Sequence, residues 1–332
     1  MKQVLVTGGA GYKGCVLVPK LLNAGYQVVV YDRMFFGSQG LPSHPHLRVV
    51  DADIRDTDSF AAAVKNCDAV IHMACISNDP SYELDPALSK TINFDCFEPM
   101  VLASKNAGVR RFINVSSSSV YGVSDAPEVT EDHPLLPLTD YSKYKGMCES
   151  ILFEHGSRDF IPINLRPATV CGYSPRMRFD LTVNILTNLA VNRGTITVFG
   201  GAQKRPNIHI DDVTDLYIRM LEYPEDQIAG KTFNVGYEND TVARLAEIVK
   251  QVVEREFPDK PPIRIETTPT NDNRSYHVSS RKIAEELGYR PQRTIEDAVR
   301  DLCCAFRQGE FKNSLTSDDY VNVKIMKKLG PA

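Results

Sequence analysis

Residues 7–14 read TGGAGYKG, directly after the apolar run VLV at residues 4–6. Glycines between a strand and a helix have a physical use. The first permits a tight turn, the next lets backbone approach a pyrophosphate, and the last lets the helix pack closely on the strand. The N–H groups of the helix's first turn then face the anion. Gly9, Gly11 and Gly14 fit GxGxxG, and Thr7 with Gly8, Gly11 and Gly14 also fits TGxxGxxG. The flanks supply the context such a loop requires. QVLVTG reads as a strand, and residues 12–24, YKGCVLVPKLLNA, place Val16, Leu17, Leu21 and Leu22 at helical spacing before Gly25. Asp32 ends a second strand, YQVVVYD, 21 residues past Gly11. A carboxylate there accepts both ribose hydroxyls of an adenosine and repels a 2′-phosphate, which favours NAD over NADP; Arg33 beside it pulls the other way.

Outward from this loop, strands and helices alternate. HLRVVDAD, DAVIHMA, VRRFINVSS and FIPINLRPA read as the third to sixth strands. DTDSFAAAVKN reads as a short helix and DPALSKTINFDCFEPMVLASKNAG as one longer helix closed by Gly108. DYSKYKGMCESILFEHG reads as a helix with Asp as its N-cap. Continuous apolar strands alternating with helices predict an α/β fold, a Rossmann-like doubly wound parallel sheet covered on both faces. After about residue 170 the alternation loosens, with candidate helices at 179–192, 241–256 and 294–308 among Pro- and Gly-bearing loops. That predicts a nucleotide-binding domain over 1–170 and a smaller mixed α/β substrate lobe over 171–332.

The 332-residue chain has 42% hydrophobic and 24% charged residues and a net charge of -4, an ordinary globular balance that points to neither nucleic acid nor an anionic membrane. No apolar stretch approaches the roughly 18 residues of a membrane span. Eight scattered cysteines without a CxxC pair predict reduced thiols in a cytoplasmic protein. A strand so close to the start leaves no room for a signal peptide. Nothing calls for a metal.

Two further stretches carry chemistry. In YSKYK, Tyr141 and Lys145 stand four apart at the start of a helix, on one face. A phenol titrates near ~10, too high for a neutral-pH base, and an adjacent ammonium lowers it. NVSSSSVYG at 114–122 ends the fifth strand in four serines, at the strand ends where such folds bind ligands. A serine hydroxyl there shares a substrate proton with Tyr141.

TGGAGYKG, Asp32, DADIRD, HMACIS, SSSSVYG and YSKYK together resemble the extended short-chain dehydrogenase/reductases, most closely the branch that modifies nucleotide-activated sugars. RPNIHIDDV at 205–213 and NRSYHVSSRKIAEELGYRP at 273–291 resemble that branch's later blocks. The resemblance implies that Tyr141 is the base, Lys145 its partner on the nicotinamide ribose, and Ser117 the catalytic serine. It implies cofactor contacts at Gly8, Gly11, Tyr12, Lys13, Gly14, Asp32, Arg33, Asp53, Ile54, Met73, Ala74, Cys75, Asn93, Ser116 and Pro167. Substrate contacts are implied at Thr169, Asn184, Arg205 and Arg274, the two arginines on a diphosphate. It also implies that residues 208–236 return to the first domain and that helices matching 86–107 and 140–155 pair into a homodimer.

Departures from the family pattern narrow the reaction. Tyr12-Lys13 replaces a usual Phe-Ile or Phe-Leu, and Ser118-Ser119 replaces the Asp-Glu pair of the 4,6-dehydratases. Two serines supply neither the acid nor the base that dehydration needs. Oxidation at C4 of a nucleoside-diphosphate sugar remains, with hydride return to the other face (a 4-epimerase). The alternatives are a 4-dehydrogenase, a reductase or a 4,6-dehydratase, and, from another class, a cofactor-sensing binding protein.

Overall fold

The computed structural model describes residues 2–124, 126–270, 275 and 277–329. The first half runs β1 (Gln3–Thr7), α1 (Gly14–Asn23), β2 (Gln27–Asp32), β3 (Leu47–Asp51), α2 (Thr57–Val64), β4 (Ala69–His72), α3 (Asp79–Tyr82), α4 (Pro86–Lys90), α5 (Phe97–Asn106), β5 (Arg111–Val115), α6 (Asp140–Glu154) and β6 (Ile161–Pro167). The second runs β7 (Thr169–Cys171), α7 (Thr182–Arg193), β8 (Thr195–Phe199), β9 (Lys204–His209), α8 (Ile210–Arg219), α9 (Glu225–Ile228), β10 (Lys231–Val235), β11 (Glu238–Thr241), α10 (Val242–Glu256), β12 (Arg264–Thr268), α11 (Arg281–Leu287), α12 (Ile295–Arg307) and α13 (Asn322–Leu329).

Seven strands form one parallel sheet in the order β10-β6-β5-β4-β1-β2-β3. Side chains alternate along each strand, so an unbroken apolar run feeds two cores. Val4 and Val6 of β1 and Val28 and Val30 of β2 pack with Leu17 and Leu21 of α1 and Leu216 of α8. Leu5 and Val29, between them, pack with Phe60 of α2 and Phe97 and Met100 of α5. A third core joins α7, α10 and α12 around Leu186, Leu245, Val249 and Val299. Two small sheets, β11-β9-β7 and β12-β8, accompany it. Among the described residues no helix is long and apolar enough to cross a membrane.

Two local expectations are corrected. The stretch 85–108 is not one regular helix: α4 and α5 flank a wide π turn at Thr91–Asp95. There Asn93 turns inward, its Oδ1 accepting from the Ile76 N–H at 2.8 Å and its Nδ2 donating to the Ile76 carbonyl at 3.0 Å. Those bonds fix the loop after β4, a use to which inserted turns are often put. The cap of α6 is Thr139, whose hydroxyl accepts from the Ser142 N–H, and Asp140 is already helical. Both residue types cap well, so composition alone does not order two adjacent candidates.

Candidate active site

The strand order reverses between β1 and β4, the place where open α/β sheets take ligands. Thr7 closes the seam between them. Its hydroxyl accepts from the Met73 and Ala74 N–H groups, each at 3.1 Å, and lies 2.8 Å from His72 Nδ1. Burial, with Lys145 nearby, pushes His72 well below its ordinary value, so the imidazole is neutral. Above this seam opens a cleft of about 530 Å³.

The opening loop forms one wall. Gly8 has φ +70°, and a Cβ there would stand 2.8 Å from the Ala74 nitrogen. A Cβ on Gly14 would press into the Gly9 carbonyl. Gly8, Gly11 and Gly14 line the cleft, whereas Gly9 faces Val30 in the core. The N-cap residue of α1, Lys13, makes no side-chain cap hydrogen bond, so the helix's N–H end is open to what the cleft holds. A side-chain-free wall beside an uncapped helix start fits a dinucleotide diphosphate.

Asp32 lines the cleft and is itself gripped by backbone: Oδ2 accepts from the Ala10 N–H at 3.0 Å and Oδ1 from the Met34 N–H at 2.9 Å. Burial raises its pKa against the pull of those two donors. Arg33 leans toward Asp51, 3.6 Å away, across a half-exposed surface. Asp53 is paired with Arg55 at 2.7 Å, which holds its carboxyl below the usual range. Ile54, Met73, Ala74 and Cys75 complete this side. Lys13 also lines the cleft, its Nζ 3.5 Å from the Tyr217 hydroxyl; burial lowers it to about 8.

Tyr141 and Lys145 meet on the cleft wall with Ser116, Ser117, Pro167, Thr169 and Arg205. Lys145 is buried and donates to the Val115 carbonyl at 3.0 Å, which anchors α6 to the end of β5. Ser117 begins a chain of hydroxyls. Its Oγ lies 2.8 Å from Ser119 Oγ, which accepts from Ser142 Oγ at 2.8 Å; Thr139 Oγ1 stands 3.2 Å beyond and donates to Asp79 Oδ1 at 2.7 Å. The run of serines is therefore wired into α6 rather than left as a free turn.

The structure does not bring every expected residue to the cleft wall. Asn93 sits behind it, in the bonds to Ile76. Asn184 is fully buried: it accepts from the Gly172 N–H and donates to the Tyr12 hydroxyl and the Arg178 carbonyl. Its amide thus stitches the segment 172–178 to the glycine loop. Arg274 lies outside the described residues.

The opposite rim holds residues to which the sequence reading assigns no contact, although CGYSPRMRFDLTVN at 171–184 resembles a loop of C4-oxidising relatives of the family. Phe36, Ser77, Arg176, Arg178, Asp180, Asn322, Val323 and Met326 also line the cleft. Arg178 grips Asp180 at 2.8 Å, while Arg176 lies over Phe36, its Cζ 3.9 Å from the ring centre. The available signal was PRMRFD at 175–180, three charged residues at alternate positions in an otherwise apolar segment.

The chain is similar to known proteins over most of its length. The profile of the NAD dependent epimerase/dehydratase family matches residues 4–236. The chain belongs to that family. A UDP-glucose 4-epimerase of Bacillus subtilis is 26% identical over 324 residues, covering 90% of this chain and 95% of its own. UDP-glucuronic acid decarboxylase 1 of Arabidopsis thaliana is 25% identical over 96% of this chain and 71% of its own. Among solved structures, MoeE5 in complex with UDP-glucuronic acid and NAD has a TM-score of 0.79 at 26% identity, covering 92% of this chain and 99% of that one. The extended short-chain dehydrogenase resemblance and the Rossmann-like architecture hold, and NAD is the cofactor.

Proposed function

We propose that this family member is a nucleoside-diphosphate-sugar 4-epimerase, oxidising the C4 alcohol and returning the hydride to the opposite face. The supporting observation is the convergence of Ser117, Tyr141 and Lys145 on one cleft wall, with hydroxyls rather than carboxylates at positions 118 and 119. NAD, when bound, supplies reversible hydride acceptance. The chain's residues manage the proton. Tyr141, as phenolate favoured by the Lys145 ammonium, accepts the C4 hydroxyl proton as the C4–H bond breaks. Ser117 holds that oxygen by a hydrogen bond and is itself oriented by Ser119. Tyr141 gives the proton back to the reduced oxygen, so no net acid or base is consumed.

Arg205 on the wall is the substrate-diphosphate ligand in this reading, and Arg274 its partner. The chain acts as a homodimer through α5 and α6, where Leu102 and Met147 are each 40% exposed despite their apolar character. Eight free thiols accord with a reducing cytoplasm.

The test is incubation with UDP-, GDP-, CDP- and dTDP-sugars, with products resolved by NMR. An epimerase gives C4 inversion with no build-up of NADH absorbance. Accumulating NADH, or consumption of added cofactor, would establish a dehydrogenase or reductase instead. Tyr141→Phe should abolish conversion while NAD binding survives, and unchanged turnover would defeat the assignment of the base.

A further inference from the structure

Arg176 is 92% shielded, with 8% of its surface accessible. Its Nη2 donates to Asn322 Oδ1 at 2.6 Å and its plane covers Phe36, but its Nε is buried and finds no partner among the described residues. Among the described residues no carboxylate lies within ion-pair distance of it, unlike neighbouring Arg178, which has Asp180. An unpaired N–H in a sealed guanidinium carries a full desolvation penalty unless a ligand meets it. Burial accordingly draws Arg176 down to about 10, with Arg178 pushing the same way.

Its position says what that ligand is. The preceding turn is fastened to the phosphate loop: Ser174 Oγ donates to the Tyr12 carbonyl at 2.7 Å, and the Tyr12 hydroxyl donates to the Gly172 carbonyl at 2.7 Å. Phe36 follows β2, whose last residue is Asp32, the expected ribose acceptor. Asn322 comes from α13, the far end of the chain, and also donates to Ser77 Oγ at 2.8 Å and, through its N–H, to Asp180 Oδ2 at 3.1 Å.

We infer that Arg176, laid on Phe36 and steadied by Asn322, is the counter-ion of the dinucleotide's diphosphate, reaching across the cleft from the substrate lobe to the anion that the glycine loop cradles. The guanidinium replaces solvent as the second ligand of an otherwise backbone-bound anion, and Asn322, Val323 and Met326 of α13 line the rim beside it. Phe36 and Asn322 are positioning residues. The same chemistry would serve the diphosphate of the sugar nucleotide, so the test separates the two sources.

NADH binding is followed by fluorescence, with ADP-ribose, adenosine and UDP as competitors, in the full chain and in Arg176→Met, Arg176→Lys and Asn322→Ala. Arg176→Met should weaken NADH and ADP-ribose about tenfold to a hundredfold while adenosine and UDP are unchanged, the size expected for a hydrogen bond to a charged group. Arg176→Lys should recover part of that loss. Asn322→Ala should lose a few-fold with the same preference for diphosphate-bearing competitors, and it carries the test if Arg176→Met does not fold. Equal losses for adenosine and ADP-ribose would overturn the proposal and leave a packing role over Phe36. Loss of UDP affinity with ADP-ribose unaltered would overturn it in favour of the sugar nucleotide. Failure of the unmodified chain to bind NADH would instead strike the cofactor reading on which the proposal rests.

Discussion

Arg166 and Arg176 are both buried, one on a strand of the large sheet and one at the cleft rim, yet their surroundings are opposite. Arg166 on β6 meets Glu149 of α6 through Nη2 at 2.6 Å and Nε at 3.0 Å, and donates through Nη1 to the Tyr121 hydroxyl at 2.6 Å. Burial alone would lower its pKa, but Glu149 overrides this and raises it. Tyr121 in turn donates to Asn234 of β10 at 2.7 Å, so the network locks the sheet edge. Arg176 has a ring, an amide and an empty Nε. A buried charge whose valences are all met inside the chain builds architecture. One left partly unmet points at something the chain binds.

Cutting the satisfied pair should have the largest effect. Glu149→Ala leaves a buried guanidinium uncompensated, which typically costs about 3–5 kcal/mol. Denaturant unfolding of the ligand-free protein should show that loss, with β6 and β10 loosened. A cost below about 1 kcal/mol would mean that Arg166 is solvated in some way the packing does not reveal.

The Arg178–Asp180 pair is intermediate, being satisfied but placed at the cleft. Burial would raise the Asp180 pKa, but Arg178 and the Asn322 N–H override it and lower it. A carboxyl depressed in the folded state stabilises the fold above its unfolded pKa and loses that contribution as pH falls through the folded value. Stability should therefore drop on the acid side below about pH 4. Asp180→Asn should cost about 1–3 kcal/mol at neutral pH and flatten that acid limb. Parallel limbs in the two proteins would show that the pair contributes nothing.

These residues also mark where the sequence stops being legible. The glycine loop, Asp32 and the Tyr141/Lys145 pair were readable because each depends on neighbours in sequence: a strand before, a helix after, one helical turn between. Local hydrogen bonds and periodicity carry such information. The job of Arg176 depends on Phe36 and on Asn322, 146 residues away, and no local pattern encodes that meeting. Asn93 and Asn184 are a different case. Their positions were noticed, but an asparagine that lines a pocket and one that ties two loops behind it look alike until the fold supplies partners. The return of the chain through α8 and β10 to the first sheet entered the reading only through family resemblance, since a parallel edge strand added late has no sequence signature of its own.

Removing the unsatisfied charge should cost the empty protein little. Arg176→Met keeps much of the apolar volume over Phe36 and deletes the orphaned N–H along with one hydrogen bond. Ligand-free stability should stay within about 1 kcal/mol of the parent, because replacing a poorly compensated buried ion by an apolar side chain is often neutral. A loss as large as that of Glu149→Ala would erase the distinction between the two arginines.

Lys13 offers the smallest and sharpest comparison, since it too is a cation in the cleft wall without a carboxylate partner among the described residues. Its ammonium sits 3.5 Å from the Tyr217 hydroxyl and 5.8 Å from that ring's centre, and burial lowers it to about 8. A lysine depressed in the folded state binds fewer protons there than in the unfolded chain between about pH 8 and 10.5. Stability attributable to Lys13 therefore rises with pH across that window. Tyr12 and Tyr217, whose burial raises their phenols, work in the opposite direction as the unfolded phenols ionise near ~10. The raw profile mixes these slopes, but the difference between parent and Lys13→Ile isolates one group. That difference should favour the variant by roughly 1 kcal/mol at pH 7, less than full burial would imply because the ammonium still borders an open cleft. It should shrink toward zero by about pH 10, as the parent lysine discharges. A difference that stays constant with pH would mean that packing rather than charge separates the two side chains.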